Sequence, residues 1–150
     1  MRRIFIAFAM AALASGTAAA SDKTDVMAVV HKWANAFNKA DVKSAATTCA
    51  DDAIIIDDFP PHAWQGSGTC ANWYKDFVAF AAKAGMTDAS VTLGKTRHLD
   101  IDSGYAYLVT PVTLSLNKSG KPTKEAGMVT MSLHKSETGW RITGWAWADL

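Results

Sequence analysis

The residues best suited to chemistry lie in the stretch AIIIDDFPPHAWQG, residues 53–66. Its apolar run ends on two carboxylates, Asp57 and Asp58, directly before a turn that contains two prolines. A carboxylate beside an apolar wall is poorly hydrated, so its pKa rises and it can accept a proton near neutral pH. Because side chains alternate along a strand, Ile55 and Asp57 share one face, and Asp58 is expected to face solvent. Asp57 is therefore a candidate for a poorly hydrated carboxylate with Ile55 in its apolar wall; the alternative is a solvated strand end.

Aromatic residues are the second group with potential for ligand binding. The sequence has 6 tryptophans, and an indole ring can both stack on a ligand and donate a hydrogen bond to it. The candidates for the lining of an internal pocket are Trp33, Phe37, Trp64, Trp73, Phe77, Trp145 and Trp147. The alternative interpretation is that these rings simply fill the core, as tryptophan commonly does.

Other polar residues give weaker indications. His98 lies in a predicted strand and could donate a hydrogen bond to a ligand, although a surface histidine fits the pattern equally well. The histidines and carboxylates show no spacing typical of metal ligands, so we predict no metal and no other cofactor. The sequence contains no phosphate-binding loop, nucleophile elbow or dinucleotide-binding motif.

The spacing of apolar residues predicts three helices followed by a set of strands. The first helix covers residues 24–39, the second follows Asp41 as its N-cap, and the third follows Ser67 as its N-cap and ends at Gly85. A short strand over residues 53–57 lies between the second and third helices. From Val91 onward the apolar period changes to two over several strands linked by short turns. Strands joined in this way are antiparallel, so we predict an α+β fold in which the three helices cover a curved antiparallel sheet.

The two cysteines are placed symmetrically about the predicted turn. Cys49 is assigned to the apolar face of the second helix and Cys70 to the third, and each lies ten residues from the turn at Phe59 and Pro60. A hairpin at that point brings the flanking segments together, which favours a disulfide in an oxidising compartment. Two buried free thiols are the alternative.

The N-terminus has the pattern of a secretory signal peptide. A short basic segment at Arg2 and Arg3 precedes an apolar run that closes on small residues, with cleavage expected after Ala20. We therefore predict a signal peptide over residues 1–20, a single domain over residues 21–150, and a location in the periplasm or outside the cell. Basic and acidic residues nearly balance, 15 against 14, and the basic ones are scattered. This pattern argues against nucleic acid or a membrane surface as a partner.

The order of these elements resembles the nuclear transport factor 2-like superfamily, which includes the SnoaL-like and ketosteroid isomerase-like proteins. The similar stretches are WANAFNKADVKSAATTCADDAIIIDDFPPHAWQG, WYKDF in the third helix and GWRITGWAW near the end. The resemblance covers residues 21–150 as one domain. It implies a cone of curved antiparallel sheet that is closed by the three helices and encloses an apolar pocket.

The resemblance also implies roles for single residues. Ketosteroid isomerases use an aspartate at the end of the first strand as the base, and that position is Asp57 here. Their tyrosine on the first helix falls at Trp33, and their second acid falls at Met131, which has no hydrogen to donate to an oxyanion. Met131 is therefore expected only to line the pocket, and ketosteroid isomerisation itself is not expected.

Three functions fit these observations. The leading interpretation is an exported protein that binds a small apolar or aromatic molecule in the pocket. The alternative is an acid–base enzyme (an isomerase, cyclase or hydratase) with Asp57 as its general base. In the third, the rings fill the cone and the outer face of the sheet forms a homodimer.

Overall fold

The computed structural model describes the backbone of residues 13–150 and the side chains from residue 20 onward. Residues 1–12 of the predicted signal peptide lie outside this part of the chain. The first helix, α1 (Leu13–Asn38), begins before the predicted cleavage position and continues through the segment predicted to be helical. Within the described residues, no helix combines the length and the apolar character that crossing a membrane would require.

The two shorter helices show where the local predictions succeed and fail. Helix α2 (Val42–Ala46) is capped by Asp41, whose carboxylate accepts the Ser44 N–H at 3.0 Å. Cys49, predicted to extend this helix, instead begins the first strand. The N-cap of α3 (Thr69–Lys83) is Gly68 and not Ser67.

The correction at α3 has a physical reason. The Ser67 hydroxyl donates to both oxygens of Asp51, at 3.0 and 3.1 Å, and Asp51 also accepts the Gly68 N–H at 3.2 Å. The carboxylate that holds the two residues before α3 therefore comes from a neighbouring strand, and local sequence does not reveal it.

Seven strands form one curved sheet. They are β1 (Cys49–Ile56), β2 (Ala63–Trp64), β3 (Met86–Leu93), β4 (His98–Asp102), β5 (Tyr105–Lys118), β6 (Lys121–Ser136) and β7 (Gly139–Asp149). The order across the sheet is β2-β1-β7-β6-β5-β3, and β4 also pairs with β5. The predicted α+β class is confirmed.

The sheet is mixed and not wholly antiparallel. Strands β5, β6 and β7 form the predicted antiparallel meander, but β1 pairs with β7 in parallel, with Ile55 opposite Trp145. Because β1 and β7 are separated by most of the domain, no short turn links them and their relative direction cannot be read from a hairpin. Irregular register in β1, β3 and β6 accompanies the curvature.

The core lies between the concave face of this sheet and the helices. The inner face of β6 contributes Val129, Met131 and Leu133, none more than 1% exposed. Val26 and Val30 of α1, fully buried, face them from the helical layer. Burial of each such side chain stabilises the fold by about 1.5–3 kcal/mol, so the sheet and the helices are held together mainly by this layer.

The predicted disulfide is present. Cys49 at the start of β1 is bonded to Cys70 in the first turn of α3, with a Cα–Cα distance of 6.4 Å and a sequence separation of 21 residues. It fastens the N-terminal ends of the strand and the helix that flank the Asp57 turn.

Candidate functional site

A cavity of about 220 Å³ opens between the helices and one end of the sheet. Sixteen residues line it, and eight of them are aromatic. The helical wall consists of Trp33 and Phe37 from α1 and of Trp73, Phe77 and Phe80 from α3. These rings pack on one another, for example Trp73 on Phe77 with ring centroids 5.6 Å apart. The rings therefore form a wall around open space and do not fill it completely.

Most of the residues predicted for a pocket meet at this cavity. It is lined by Trp33, Phe37, Asp57, Trp73, Phe77, Trp145 and Trp147. The aromatic residues that the spacing on α1, α3 and β7 predicts for a pocket thus lie around one cavity.

Four other candidates do not line the cavity. Ile55 and Met131 are fully buried by neighbouring side chains. Trp64 packs on Phe59 and donates its indole N–H to Asp76 at 2.9 Å. His98 is exposed on β4, where its ring lies 5.7 Å from that of Tyr107.

The cavity also contains residues that sequence reasoning missed. Leu114, Glu125 and Val129 lie on the inner face of β5 and β6, and the alternation along these strands could have identified them. The remaining ones are Asp58, Phe59, Phe80, Met86, Val91 and Lys118. Asp58 is exposed, as expected, yet it borders the same cavity as Asp57 because the chain turns immediately after β1.

The turn after β1 places Asp57 and Phe59. The Asp57 N–H donates to the His62 carbonyl at 3.1 Å, and the His62 N–H donates to the Phe59 carbonyl at 2.9 Å. Phe59 is 3% exposed and stacks on Phe80 at 5.0 Å. The turn is therefore anchored by a buried ring, which fixes the position of the carboxylate beside it.

Asp57 accepts two hydrogen bonds from neutral donors. Trp73 Nε1 donates to Oδ2 at 2.8 Å, and the Asp58 N–H donates to Oδ1 at 2.8 Å. Burial raises the pKa of Asp57 from 3.8 to about 7, and the neighbouring Asp58 adds to the rise, while the two hydrogen bonds oppose it. A carboxyl group with this pKa can be a base, an acid or an anion near neutral pH.

Other donors and metal ligands are few. Trp145 Nε1 is buried and has no hydrogen-bond partner among the described residues. No group of three His, Cys, Asp or Glu side chains in the described part of the chain is arranged to hold a metal ion.

Gly127 makes room for one wall of the cavity. A Cβ built at this position would overlap the six-membered ring of Trp147, which lies across the Gly127 backbone. Trp147 is held there by its own hydrogen bond from Nε1 to Asp149 at 2.8 Å.

We expect Gly127→Ala to lower the free energy of unfolding by about 1–3 kcal/mol, because the indole of Trp147 must move out of its packed position. Chemical denaturation measures this loss. The same substitution in a Trp147→Ala background should cost much less, since the overlapping ring is absent. An equal loss in both backgrounds would show that contact with Trp147 is not the reason for glycine at this position.

A sheet curved around a cavity and closed by three helices defines a nuclear transport factor 2-like protein. The SnoaL-like domain family matches residues 26–146. The chain belongs to this family.

Solved structures share the fold at low sequence identity. A nuclear transport factor 2-like protein with a cystatin-like fold from Novosphingobium aromaticivorans has a TM-score of 0.76 and 13% identity, covering 92% of this chain and 88% of its own. For a ketosteroid isomerase-like protein from Erwinia carotovora atroseptica the TM-score is 0.68 and the identity 19%, covering 85% and 95%. A nuclear transport factor 2-like superfamily protein from Salmonella enterica serovar Typhimurium has a TM-score of 0.74 and 13% identity, covering 87% of this chain and 92% of its own. Among curated proteins, none matches this sequence.

Proposed function

We propose that this protein binds a small apolar or aromatic molecule in the cavity, with Asp57 as the polar group that orients it. The observation that carries the proposal is an open space lined by eight aromatic rings, with the carboxyl group of Asp57 held at its wall by a hydrogen bond from Trp73. Small-molecule sites commonly combine a mainly apolar lining with a few placed polar groups.

The volume limits the size of the molecule. A protein cavity of about 150 Å³ holds one benzene molecule, and this cavity measures about 220 Å³. We therefore propose a ligand of about one substituted ring. A four-ring steroid is too large for this space without rearrangement of the walls.

Export is part of the proposal. The N-terminal pattern of a signal peptide and the Cys49–Cys70 disulfide both fit an oxidising compartment such as the periplasm.

We also propose a homodimer through the outer face of the sheet. Ile54 and Ile56 of β1 are 52% and 53% exposed there, and Tyr105 and Tyr107 of β5 are exposed as well. These two pairs lie on the same face of the sheet, and exposed apolar side chains on one face favour association. Sedimentation equilibrium that gives only the monomer mass would contradict this part of the proposal.

An acid–base enzyme is the second candidate. The pKa of Asp57, about 7, favours it because such a group is partly ionised near neutral pH and can both take and return a proton. The unpartnered N–H of Trp145, a residue of the cavity wall, is a candidate donor to a substrate oxygen. A solved structure of the same fold is described as ketosteroid isomerase-like, which supports this candidate at the level of fold only.

The proposal is tested by filling the cavity. Leu114→Trp places a large ring on the inner face of β5, whereas Thr113→Trp places the same ring on the outer face. We expect native mass spectrometry of the purified wild type and of Thr113→Trp to detect a bound molecule of about one-ring size, and Leu114→Trp to have lost it.

A second measurement covers a protein purified without its ligand. One-ring aromatic compounds should raise the melting temperature of the wild type and of Thr113→Trp but not that of Leu114→Trp. If no bound molecule is detected by mass spectrometry and no compound raises the melting temperature of the wild type, the proposed function is overturned.

A further inference from the structure

The polar groups around the cavity are mostly negative. Three carboxylates border it, those of Asp57, Asp58 and Glu125, against one amine, that of Lys118. The protein as a whole has nearly equal numbers of acidic and basic residues, so this local excess is not a consequence of composition. It concerns the same cavity as the proposed function, on which the inference rests.

No residue in the described part of the chain forms an ion pair with Asp57. Its hydrogen-bond partners are an indole N–H and a backbone N–H, and the ion pair formed among the described residues joins Lys135 to Asp22, neither of which lines the cavity. A carboxylate removed from water without a counter-ion is unfavourable, and a positive charge brought to it would be strongly attracted. A cation bound beside Asp57 would therefore be stabilised by its carboxylate.

Lys118, which borders the cavity, does not act as a counter-ion to Asp57. Lys118 is exposed at the end of β5 and its amine can reach water, and the structure gives it no hydrogen bond or ion pair with any of the three carboxylates. Glu125, on the inner face of β6, is half-buried and likewise has no cation in the described part of the chain.

The rings add to the attraction. The face of an aromatic ring carries partial negative charge, and several faces around one space form a cage that favours organic cations over neutral molecules of the same shape. Two indole N–H groups of the wall are already used, since Trp73 donates to Asp57 and Trp147 donates to Asp149. These two residues therefore present ring surface, and not donors, to a bound molecule.

We propose that the ligand is an organic cation, an amine or quaternary ammonium attached to about one apolar or aromatic ring. Its positive charge lies against Asp57, and its apolar body lies among the rings of α1, α3 and β7. The carboxylates of Asp58 and Glu125 contribute at longer range and attract the cation to the opening.

The test compares two molecules of the same shape that differ by one charge. Phenyltrimethylammonium and tert-butylbenzene are such a pair, and quenching of tryptophan fluorescence reports their binding. The titrations are run at pH 8, where Asp57 is mainly ionised. We expect the cation to bind the wild type at least about tenfold more tightly than the neutral molecule.

Substitutions test which carboxylate is responsible for the preference for the cation over the neutral molecule. Asp57→Asn should reduce the preference for the cation to about threefold or less, while tert-butylbenzene binds as before. Asp52→Asn, which removes an exposed carboxylate from β1 outside the cavity lining, should keep the full preference. The anion 4-tert-butylbenzoate should not bind to any of the three proteins.

The outcomes separate the two proposals. Equal or tighter binding of the neutral molecule, or binding of the anion, overturns the cation inference and leaves a ligand-binding cavity in place. A preference that survives Asp57→Asn unchanged overturns the role of Asp57 in it. Absence of binding by both uncharged and cationic one-ring compounds overturns the inference and the proposed function together.

Discussion

Asp57→Asn is expected to become more stable relative to the wild type as the pH rises from 4.5 to 8. In the folded protein the pKa of Asp57 is raised from 3.8 to about 7, with burial as the main cause. In the unfolded chain the carboxyl group ionises at its ordinary pKa, near 3.9. The folded state therefore holds a proton that the unfolded state has lost over most of this range.

The direction of the effect follows from this difference in bound protons. Below the unfolded pKa both states are protonated, and Asp57 carries no penalty. As the pH rises toward 7, proton release favours the unfolded chain, so the wild type loses stability, and above 7 the loss is complete. Asparagine does not titrate, so the variant avoids this loss, on the order of 2–3 kcal/mol between pH 4.5 and 8.

Guanidinium denaturation at several pH values measures the difference between variant and wild type. Asparagine also disturbs one hydrogen bond of the carboxylate, which costs about 1 kcal/mol at every pH and does not alter the slope. Asp52→Asn, at an exposed position of the same strand, should show no comparable change with pH. A constant difference for Asp57→Asn would mean that the carboxylate is not poorly hydrated in the folded protein.

The double variant Cys49→Ala, Cys70→Ala is expected to lose about 3 kcal/mol of unfolding free energy. The disulfide closes a loop across 21 residues, and release of that loop increases the conformational freedom of the unfolded chain. In a domain of this size the loss corresponds to a fall in melting temperature of roughly 10 °C. Alanine leaves small apolar side chains at both positions, so no buried polar group is introduced.

A reducing agent supplies the matched control. Dithiothreitol should destabilise the wild type by a similar amount and should leave the double variant unchanged. If reduction and substitution both leave the midpoint of unfolding where it was, the bond contributes no stability and serves another purpose.

The sequence was sufficient for the helices, the meander and the aromatic wall because each depends on local spacing. Trp33 and Phe37 are one helical turn apart, and Trp145 and Trp147 alternate along a strand, so each pair must share a face. The parallel pairing of β1 with β7 and the hydrogen bonds from Ser67 and Gly68 to Asp51 depend on contacts between distant segments. Neither leaves a local pattern that could be read.

The alternation of apolar residues also predicts which face of the sheet a side chain lies on, but not whether that position along the strand borders the cavity. Ile55 and Met131 were assigned to the inner side of the sheet, and both are fully buried. Neither of them lines the cavity. Lys118 borders the cavity from the last residue of β5, a position that has no signature in the sequence.

Strand β1 and helix α3 are joined at three levels: by the disulfide, by Asp51 with Ser67, and by Asp57 with Trp73. These three links hold the strand and the helix together along their length. The opposite wall ends in the hairpin between β5 and β6, which is joined to the turn after α3 by a single backbone hydrogen bond, from the Ser119 N–H to the Gly85 carbonyl at 2.9 Å. The wall that carries Asp57 is thus the more firmly linked of the two, so the position of its carboxylate is set by the fold.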